Sequence, residues 1–326
     1  VQVPENPPEP SPTDDGIPMV RIGPDFFRAT CWGASAAVVL ILAWIIVTIG
    51  VEAWPSLTKF GASFIIGTEW VPNRETFGVL PFLIGTIVSS GIALLIALPL
   101  GLAVSIFLSE DFLPMPVRNV VRFTVEMLAA IPSVVYGLWG IFVVIPLVQG
   151  FGGWASVAWK DIPVLNVLFA PPAYGNSMLT ASLVLALMIL PTITAISRSA
   201  LTAVPGNLRE GSYALGATRW EAILTVILPT AAPGIVAATI LALGRAMGET
   251  MAVAMLIGNS ARLSASLLAP GGTLAGLLAN QFGEAEGLQV NSLMYAALLL
   301  VVLTLFVNLA GELVLRHTQK QTAGIR

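Results

Sequence analysis

Arg245 and Glu249 stand where charges are expensive. They lie in Leu243-Gly244-Arg245-Ala246-Met247-Gly248-Glu249-Thr250-Met251, inside a long apolar run. An ionised side chain at the centre of a bilayer costs about 2.5–3.5 kcal/mol on insertion scales, and is seldom kept without a partner or a water-lined path. A spacing of four puts both residues on one side of a helix. Gly244 and Gly248 lack a Cβ, so another backbone or an anion can approach closely. The chemistry on offer is recognition of an anion along a path through the membrane, with Arg245 and Glu249 as its gate. A structural ion pair that tolerates burial is the alternative. Arg122 and Glu126, also four apart, read as a salt bridge near the membrane surface. Ser133, Tyr136 and Trp139 offer polar groups for hydrogen bonds between helices or for lining a path.

Other chemistry is missing. No G-x-x-x-x-G-K-[ST] phosphate loop occurs, and Lys59, Lys160 and Lys320 all lie outside any such pattern. The single histidine, His317, sits in a polar C-terminal stretch, which excludes a Ser-His-Asp constellation and a histidine metal cluster. Neither G-x-S-x-G nor H-E-x-x-H is present. The single cysteine, Cys31, cannot form an internal disulfide and reads as a small packing residue. Catalysis and a bound cofactor or metal are not expected, and a net charge of −3 implies no attraction to nucleic acid.

The elements that must position Arg245 and Glu249 are membrane spans. Charged residues make up 10% of the chain, far below the roughly 25% of a soluble domain. Six apolar runs reach spanning length, at Ala29–Gly50, Val79–Leu108, Val121–Val148, Ser177–Ala200, Ile223–Gly258 and Ser292–Leu315. Pro99, Pro132, Pro191 and Pro233 fall inside them, as packed spans tolerate. Gly85, Thr86, Ser89, Ser90 and Gly91 would allow a close helix contact. Residues 1–24 are rich in Pro, Asp and Glu, do not read as a cleavable leader, and are expected to form a disordered cytoplasmic tail. Basic residues (Arg21, Arg28, Arg118, Arg122, Arg198, Arg209, Arg219, Arg316, Lys320, Arg326) collect at the termini and in alternate loops. That bias places both termini and the segment near 210 in the cytoplasm. The opposite loops hold Trp54, Pro55 and Trp70, then Trp154, Trp159 and Pro171-Pro172, then an amphipathic piece from Thr273 to Phe282. These suit interface anchors or a docking surface for an external partner.

Between the fourth and fifth runs lies a charged, turn-rich elbow. Asn207 followed by Glu210 predicts an N-cap, Leu208–Leu215 two helical turns, and Gly216 a left-handed helix end. Thr218 with Glu221 predicts a capping box. Trp220, Ile223, Leu224 and Ile227 are expected on one face of the following helix, with Pro229 and Pro233 tilting or kinking it.

This elbow resembles the cytoplasmic loop of ABC importer permeases, E-A-A, three residues, G, nine residues, I, one residue, L-P. Glu210-Gly211-Ser212, Gly216, Val226 and Leu228-Pro229 stand in those places, with Gly-Ser for Ala-Ala and Val for Ile. Leu128 to Gly137, Leu243 to Val253 and Ile257-Gly258-Asn259 narrow the likeness to the permeases of phosphate-specific ABC importers, over nearly everything after about residue 30. The PstA-like companion permease of the same importer, permeases for other oxyanions, sulfate or molybdate, and an ion-coupled secondary carrier remain as alternatives. The resemblance implies an all-α polytopic membrane protein with six transmembrane helices and the type I ABC importer permease fold. Its division would be a tail at 1–24, a first helix and outer loop at 25–78, a permease domain at 79–315 with a coupling loop at 201–222, and a cytoplasmic tail at 316–326. It also implies that Glu210, Ala214, Leu215 and Gly216 meet an ATPase, and that ATP and Mg are bound there rather than in this chain. The implied partners are a PstA-like companion permease, two PstB-like ATPase subunits, an extracytoplasmic PstS-like phosphate-binding protein and membrane lipid, with no nucleic acid. The implied location is the cytoplasmic membrane.

Overall fold

The computed structural model describes residues 24–323, apart from Asp111 and Leu113. The tail expected over residues 1–24 therefore lies, but for Pro24, outside the described residues. Besides two short helices, Ser63–Ile66 and Pro163–Leu168, ten helices organise the described chain: α1 (Pro24–Phe60), α2 (Leu80–Ser109), α3 (Met115–Ala130), α4 (Ser133–Ala158), α5 (Met178–Thr202), α6 (Gly206–Ala214), α7 (Arg219–Gly248), α8 (Met251–Leu256), α9 (Leu274–Gln281) and α10 (Leu288–Ala323). Among the described residues, six helices are long and apolar enough to cross a membrane, in α1, α2, α4, α5, α7 and α10. The last helix runs on to Ala323, through most of the stretch expected as a tail. Among the described residues, one antiparallel pair, Trp70–Val71 against Thr76–Phe77, is the exception to helical regular structure.

The chain falls into two units, residues 1–48 and residues 49–326. The first contributes the start of α1, whose side chains from Phe27 to Thr48 are all exposed. An apolar helix with no core of its own has the composition of a lipid-facing span.

The second unit is built on small residues meeting large ones. Ala93, Ala97 and Gly101 on α2 pack against α5, where Ile189 and Ile193 are fully buried. A Cβ on Gly101 would stand 2.9 Å from Ile193 Cγ2. Small residues let the backbones approach and recover dispersion contacts that apolar lipid cannot drive. The small-residue run of α2 has a different partner. Gly85 lies under the Gly272 carbonyl, and Thr86 Oγ1 accepts from Leu274 N at 2.9 Å. Gly85 and Thr86 thus seat a returning chain, Ser89 and Ser90 turn their hydroxyls back to Thr86 O, and Gly91 faces open space.

Pro132 does not sit within a span. Ile131 takes extended φ/ψ, as a residue before proline favours, and the expected third run divides there into α3 and the spanning α4. Pro146 and Pro229 show a second response. A proline ring clashes with the carbonyl four residues back, and both helices widen into a π turn just ahead of it, at Gly140–Val144 and Ile223–Ile227.

A second core forms where α1 ends. Phe64 stacks on Tyr295 with ring centroids 4.4 Å apart, and the Ser56 and Ser292 hydroxyls meet at 2.7 Å with neither residue exposed. Trp70, expected as an interface anchor, is instead buried there. Its indole edge meets Phe64, Phe77 and Phe82, and its Nε1 donates to Gln281 Oε1 at 2.7 Å. The amphipathic piece after Thr273 is α9, capped by the Thr273 hydroxyl and buried along Leu274, Ala275 and Leu277.

Candidate functional site

The elbow follows its local chemistry at one end and departs from it at the other. α6 begins at Gly206 with Pro205 at the N-cap, so Asn207 lies inside the helix and makes no cap. Pro205 holds a φ of −56° and its carbonyl accepts from Leu208 N at 3.2 Å, which starts the helix two residues early. The C-terminus is as expected. Gly216 has a φ of +88°, Gly216 N donates to Tyr213 O at 3.0 Å, and Ala217 N donates to Ser212 O at 3.1 Å. These are the two bonds of a Schellman end, which glycine makes at no steric cost. The capping box also forms: Thr218 N donates to Glu221 Oε2 at 2.7 Å, and Glu221 N to Thr218 Oγ1 at 3.4 Å.

Beyond the box the expected single face splits. Ile223 and Ile227 are buried, while Trp220 and Leu224 are exposed. Residues 220 and 224 lie one helical step aside from 223 and 227, and the π turn shifts the phase further. Glu210, Ala214, Leu215 and Gly216 all face outward on the elbow. Leu215 is 91% exposed, so nothing within the fold accounts for its apolar side chain.

The elbow is fastened to the rest of the unit by residues that sequence reasoning missed. Arg209 Nη1 pairs with Glu110 Oε1 at 2.8 Å, and Arg209 Nη2 donates to Leu201 O at 2.7 Å. Arg118 Nη2 donates to Glu110 O at 2.8 Å, and Trp220 stacks on Phe112 with centroids 5.1 Å apart. Glu110, Phe112, Tyr213, Arg219 and Ile223 line a small cavity of ≈ 140 Å³ beside this joint. The C-terminal end of α2, the start of α3 and the elbow are therefore one connected piece. The signal in the sequence was an acidic residue closing an apolar run where basic residues gather.

Within the membrane, Arg245 and Glu249 are not a pair on one helical face. α7 ends at Gly248, and Glu249 takes extended φ/ψ of −69° and 126°. Its Oε1 faces Ala252 N at 3.5 Å, at the start of α8. Arg245 Nη1 instead donates to Thr192 Oγ1 on α5 at 3.2 Å. Leu241, Arg245 and Gly248 form an exposed stripe flanked by the buried Ala242 and Ala246 on one side and Met247 on the other. Gly248 borders open space as expected, but Gly244 does not, because a Cβ there would meet Asn308 Oδ1 of α10 at 3.3 Å.

The segment after the break packs closely on α4. A Cβ on Gly137 would stand 2.7 Å from Met255 Sδ, and one on Gly140 would stand 2.8 Å from Leu256 Cδ1. These two glycines of α4 make the seat into which α8 turns. Gly258 and Asn259, both at positive φ, then reverse the chain, and Gly271 N closes on Ile257 O at 2.9 Å. Non-helical backbone at membrane depth persists only when buried in protein or lining a water-filled cavity. Arg122 and Glu126 do pair, at 2.8 Å, on an exposed face of α3.

Residues 97–322 match the family model described as "Binding-protein-dependent transport system inner membrane component". Among its relatives, the phosphate transport system permease protein PstC of Mesorhizobium japonicum is 39% identical, covering 96% of this chain and 99% of that protein. The protein of the same name from Haemophilus influenzae is 40% identical, covering 91% and 94%. Among solved structures, an inward-facing form of the MetNI methionine ABC transporter shares the fold, with a TM-score of 0.51 at 23% identity over 74% of this chain and 94% of that one. The chain belongs to the family of binding-protein-dependent transport system inner membrane components.

Proposed function

We propose that this chain is the permease subunit of an ATP-driven inorganic phosphate importer and forms one half of its translocation pore. The observation that carries this reading is near-full-length similarity, at 39% and 40% identity, to two phosphate transport system permease proteins. The site's geometry supports it. Arg245 stands on an exposed stripe of a spanning helix with a hydroxyl, not a carboxylate, as its described hydrogen-bond partner. A guanidinium suits phosphate through forked, charge-assisted hydrogen bonds. An exposed stripe suits a half-pore that a PstA-like companion permease completes.

The chain itself is not an enzyme in this reading. Two PstB-like ATPase subunits bind ATP and Mg and receive the elbow, where Leu215 offers an apolar knob beside Glu210, Ala214 and Gly216. A PstS-like protein delivers phosphate from outside. Closing of the ATPase dimer pushes the elbow, and the Arg209–Glu110 joint carries that push to α2 and α3. The pore then turns outward and receives the ion. A permease must not hold its ion tightly, since a deep well slows release, and one open arginine meets that need.

The test is labelled phosphate uptake by the reconstituted complex, with ATP and no ion gradient. ATP-dependent uptake that excess sulfate or molybdate leaves intact is the expected result. Uptake that needs a gradient but not ATP overturns it, as does displacement by sulfate. Orientation, with both termini and the elbow in the cytoplasm, is tested in a Cys31→Ser background with Asn73→Cys, Asp161→Cys and Ser264→Cys, all at exposed positions. These should react with an impermeant thiol reagent from outside, and Glu210→Cys only after permeabilisation. Ser56 and Ser266 make poor labels because both are buried.

A further inference from the structure

A threonine in a membrane helix ordinarily turns its hydroxyl back on the helix and donates to the carbonyl three or four residues before it, which leaves no donor unsatisfied in lipid. Most threonines of the spans keep to this habit, and Thr180 and Thr194, which do not, donate to the Gly175 and Gly101 carbonyls at 2.6 and 3.4 Å. Thr86 donates to Phe82 O at 2.8 Å, Thr230 to Val226 O at 2.6 Å, Thr239 to Ile235 O at 2.8 Å and Thr304 to Leu300 O at 2.9 Å. Thr192 breaks it. Its hydroxyl is turned to accept from Arg245 Nη1 at 3.2 Å, and among the described residues its own proton has no acceptor. Arg245, for its part, meets no carboxylate within ion-pair distance among the described residues, and a guanidinium has five N–H donors to place. Two neighbouring groups from different helices therefore converge with donors to spare and no acceptor between them.

We propose that Thr192 is a second phosphate-binding residue of the translocation path, acting with Arg245. The guanidinium donates to one oxygen of the anion and the Thr192 hydroxyl donates to another. The bond from Arg245 polarises that hydroxyl and strengthens it as a donor. The contact also couples α5 to α7, so an anion held by both senses how the two helices stand. This inference rests on the reading of the chain as a phosphate permease.

The test uses the complete reconstituted complex in the Cys31→Ser background. Thr192→Val keeps the shape and loses the hydroxyl, and Thr192→Ser keeps the hydroxyl. A hydrogen bond to a charged group is worth about a tenfold effect or more. Phosphate imported per ATP hydrolysed should therefore fall about tenfold in Thr192→Val and stay within about twofold of the parent in Thr192→Ser. Thr192→Cys supplies a readout that a purely structural threonine would not move: millimolar phosphate should slow its modification by a small methanethiosulfonate reagent, and sulfate should not. Parental transport in Thr192→Val, equal loss in the valine and serine variants, or a modification rate indifferent to phosphate overturns the proposal. If the parent complex imports no phosphate, the phosphate reading fails instead, and the two failures are told apart.

Discussion

The elbow and the intramembrane break are both places where a helix stops and another begins, and they stop for different reasons. At the elbow the stop is written in adjacent residues. Gly216 takes its positive φ where a Schellman end needs it, and Thr218 and Glu221 exchange hydrogen bonds across three residues. At Gly248–Glu249 nothing nearby in the chain dictates a stop. The run is apolar on both sides, and the i,i+4 spacing suggests a continuous helix with a charge pair on one face. What the break makes room for lies far away in sequence: Gly137 and Gly140, over a hundred residues earlier, hollow out a seat for Met255 and Leu256. Local polar chemistry is legible from spacing, whereas an interruption tied to distant packing is legible only once the packing partner is known.

The strongest way to break this contrast is to ask whether Arg245 and Glu249 behave as a pair. On the proposed phosphate reading, Arg245→Gln should lower phosphate uptake about a hundredfold, since it would remove more than one charge-assisted contact to the ion. Glu249→Gln weakens the contact at the start of α8 and should cost less. A structural ion pair would be repaired by removing both charges, because no isolated buried charge would remain. Arg245 bonds to Thr192 and Glu249 faces Ala252 N, so the double variant should show roughly the product of the two losses. Uptake at matched membrane levels decides it, and near-parental transport in the double variant would restore the pair.

The joint at Glu110 sharpens the comparison from the other side, since it lies at the elbow yet was not legible. Its partners are far apart in sequence, and both side chains are largely buried, at 21% and 10% exposure. Removing one partner of such a pair costs about 3–5 kcal/mol. Glu110→Ala should loosen the elbow while the spans still insert, so that ATP hydrolysis continues without uptake. The exchange of Glu110→Arg with Arg209→Glu should recover part of the coupling. Full coupling in Glu110→Ala would show that the elbow transmits without this joint.

What could be read from residues alone follows the same division. Six spans were legible because their length and apolarity are fixed by the thickness of lipid. The elbow's glycine and capping box were legible because a left-handed residue and a reciprocal cap need particular side chains. Asn207 misled because Pro205 opens the helix first. Trp70 misled because tryptophan at a span boundary suits the membrane interface as well as an aromatic core, and only its contacts with Phe64, Phe77 and Phe82 decide between them. Thr192 carried no signal, since its contact is with an arginine from another helix.

Gly216 tests the legible side directly. A Cβ there would meet nothing within 4 Å, so the cost of a substitution is conformational and not steric crowding. Holding a β-branched residue at a φ of +88° costs roughly 1–3 kcal/mol. Gly216→Val should therefore misplace Leu215, weaken ATPase association and slow uptake. Gly216→Asn should be milder, because asparagine tolerates the left-handed region. Co-purification of the ATPase with each variant measures this, and equal retention with valine and asparagine would remove the left-handed requirement from the account.

The smallest expected effect lies in the capping box, where the two halves are unequal. The bond from Thr218 N to Glu221 Oε2 is 2.7 Å, while that from Glu221 N to Thr218 Oγ1 is 3.4 Å. Loss of an N-cap side chain typically costs about 1 kcal/mol, but that figure assumes the threonine supplies the better bond. Here the carboxylate supplies it, so Glu221→Ala should destabilise the start of α7 at least as much as Thr218→Ala. Because each side chain satisfies an amide that the other residue needs ordered, the double variant should cost less than the sum of the singles. Hydrogen exchange at the Thr218 and Glu221 amides resolves the two bonds separately. Thr218→Ala should expose the Glu221 amide and leave the Thr218 amide protected, and Glu221→Ala should do the reverse with the larger change. If Thr218→Ala gives the larger change, the box is an ordinary N-cap in which the glutamate is accessory, and the elbow is held more by its threonine than by the charge beside it.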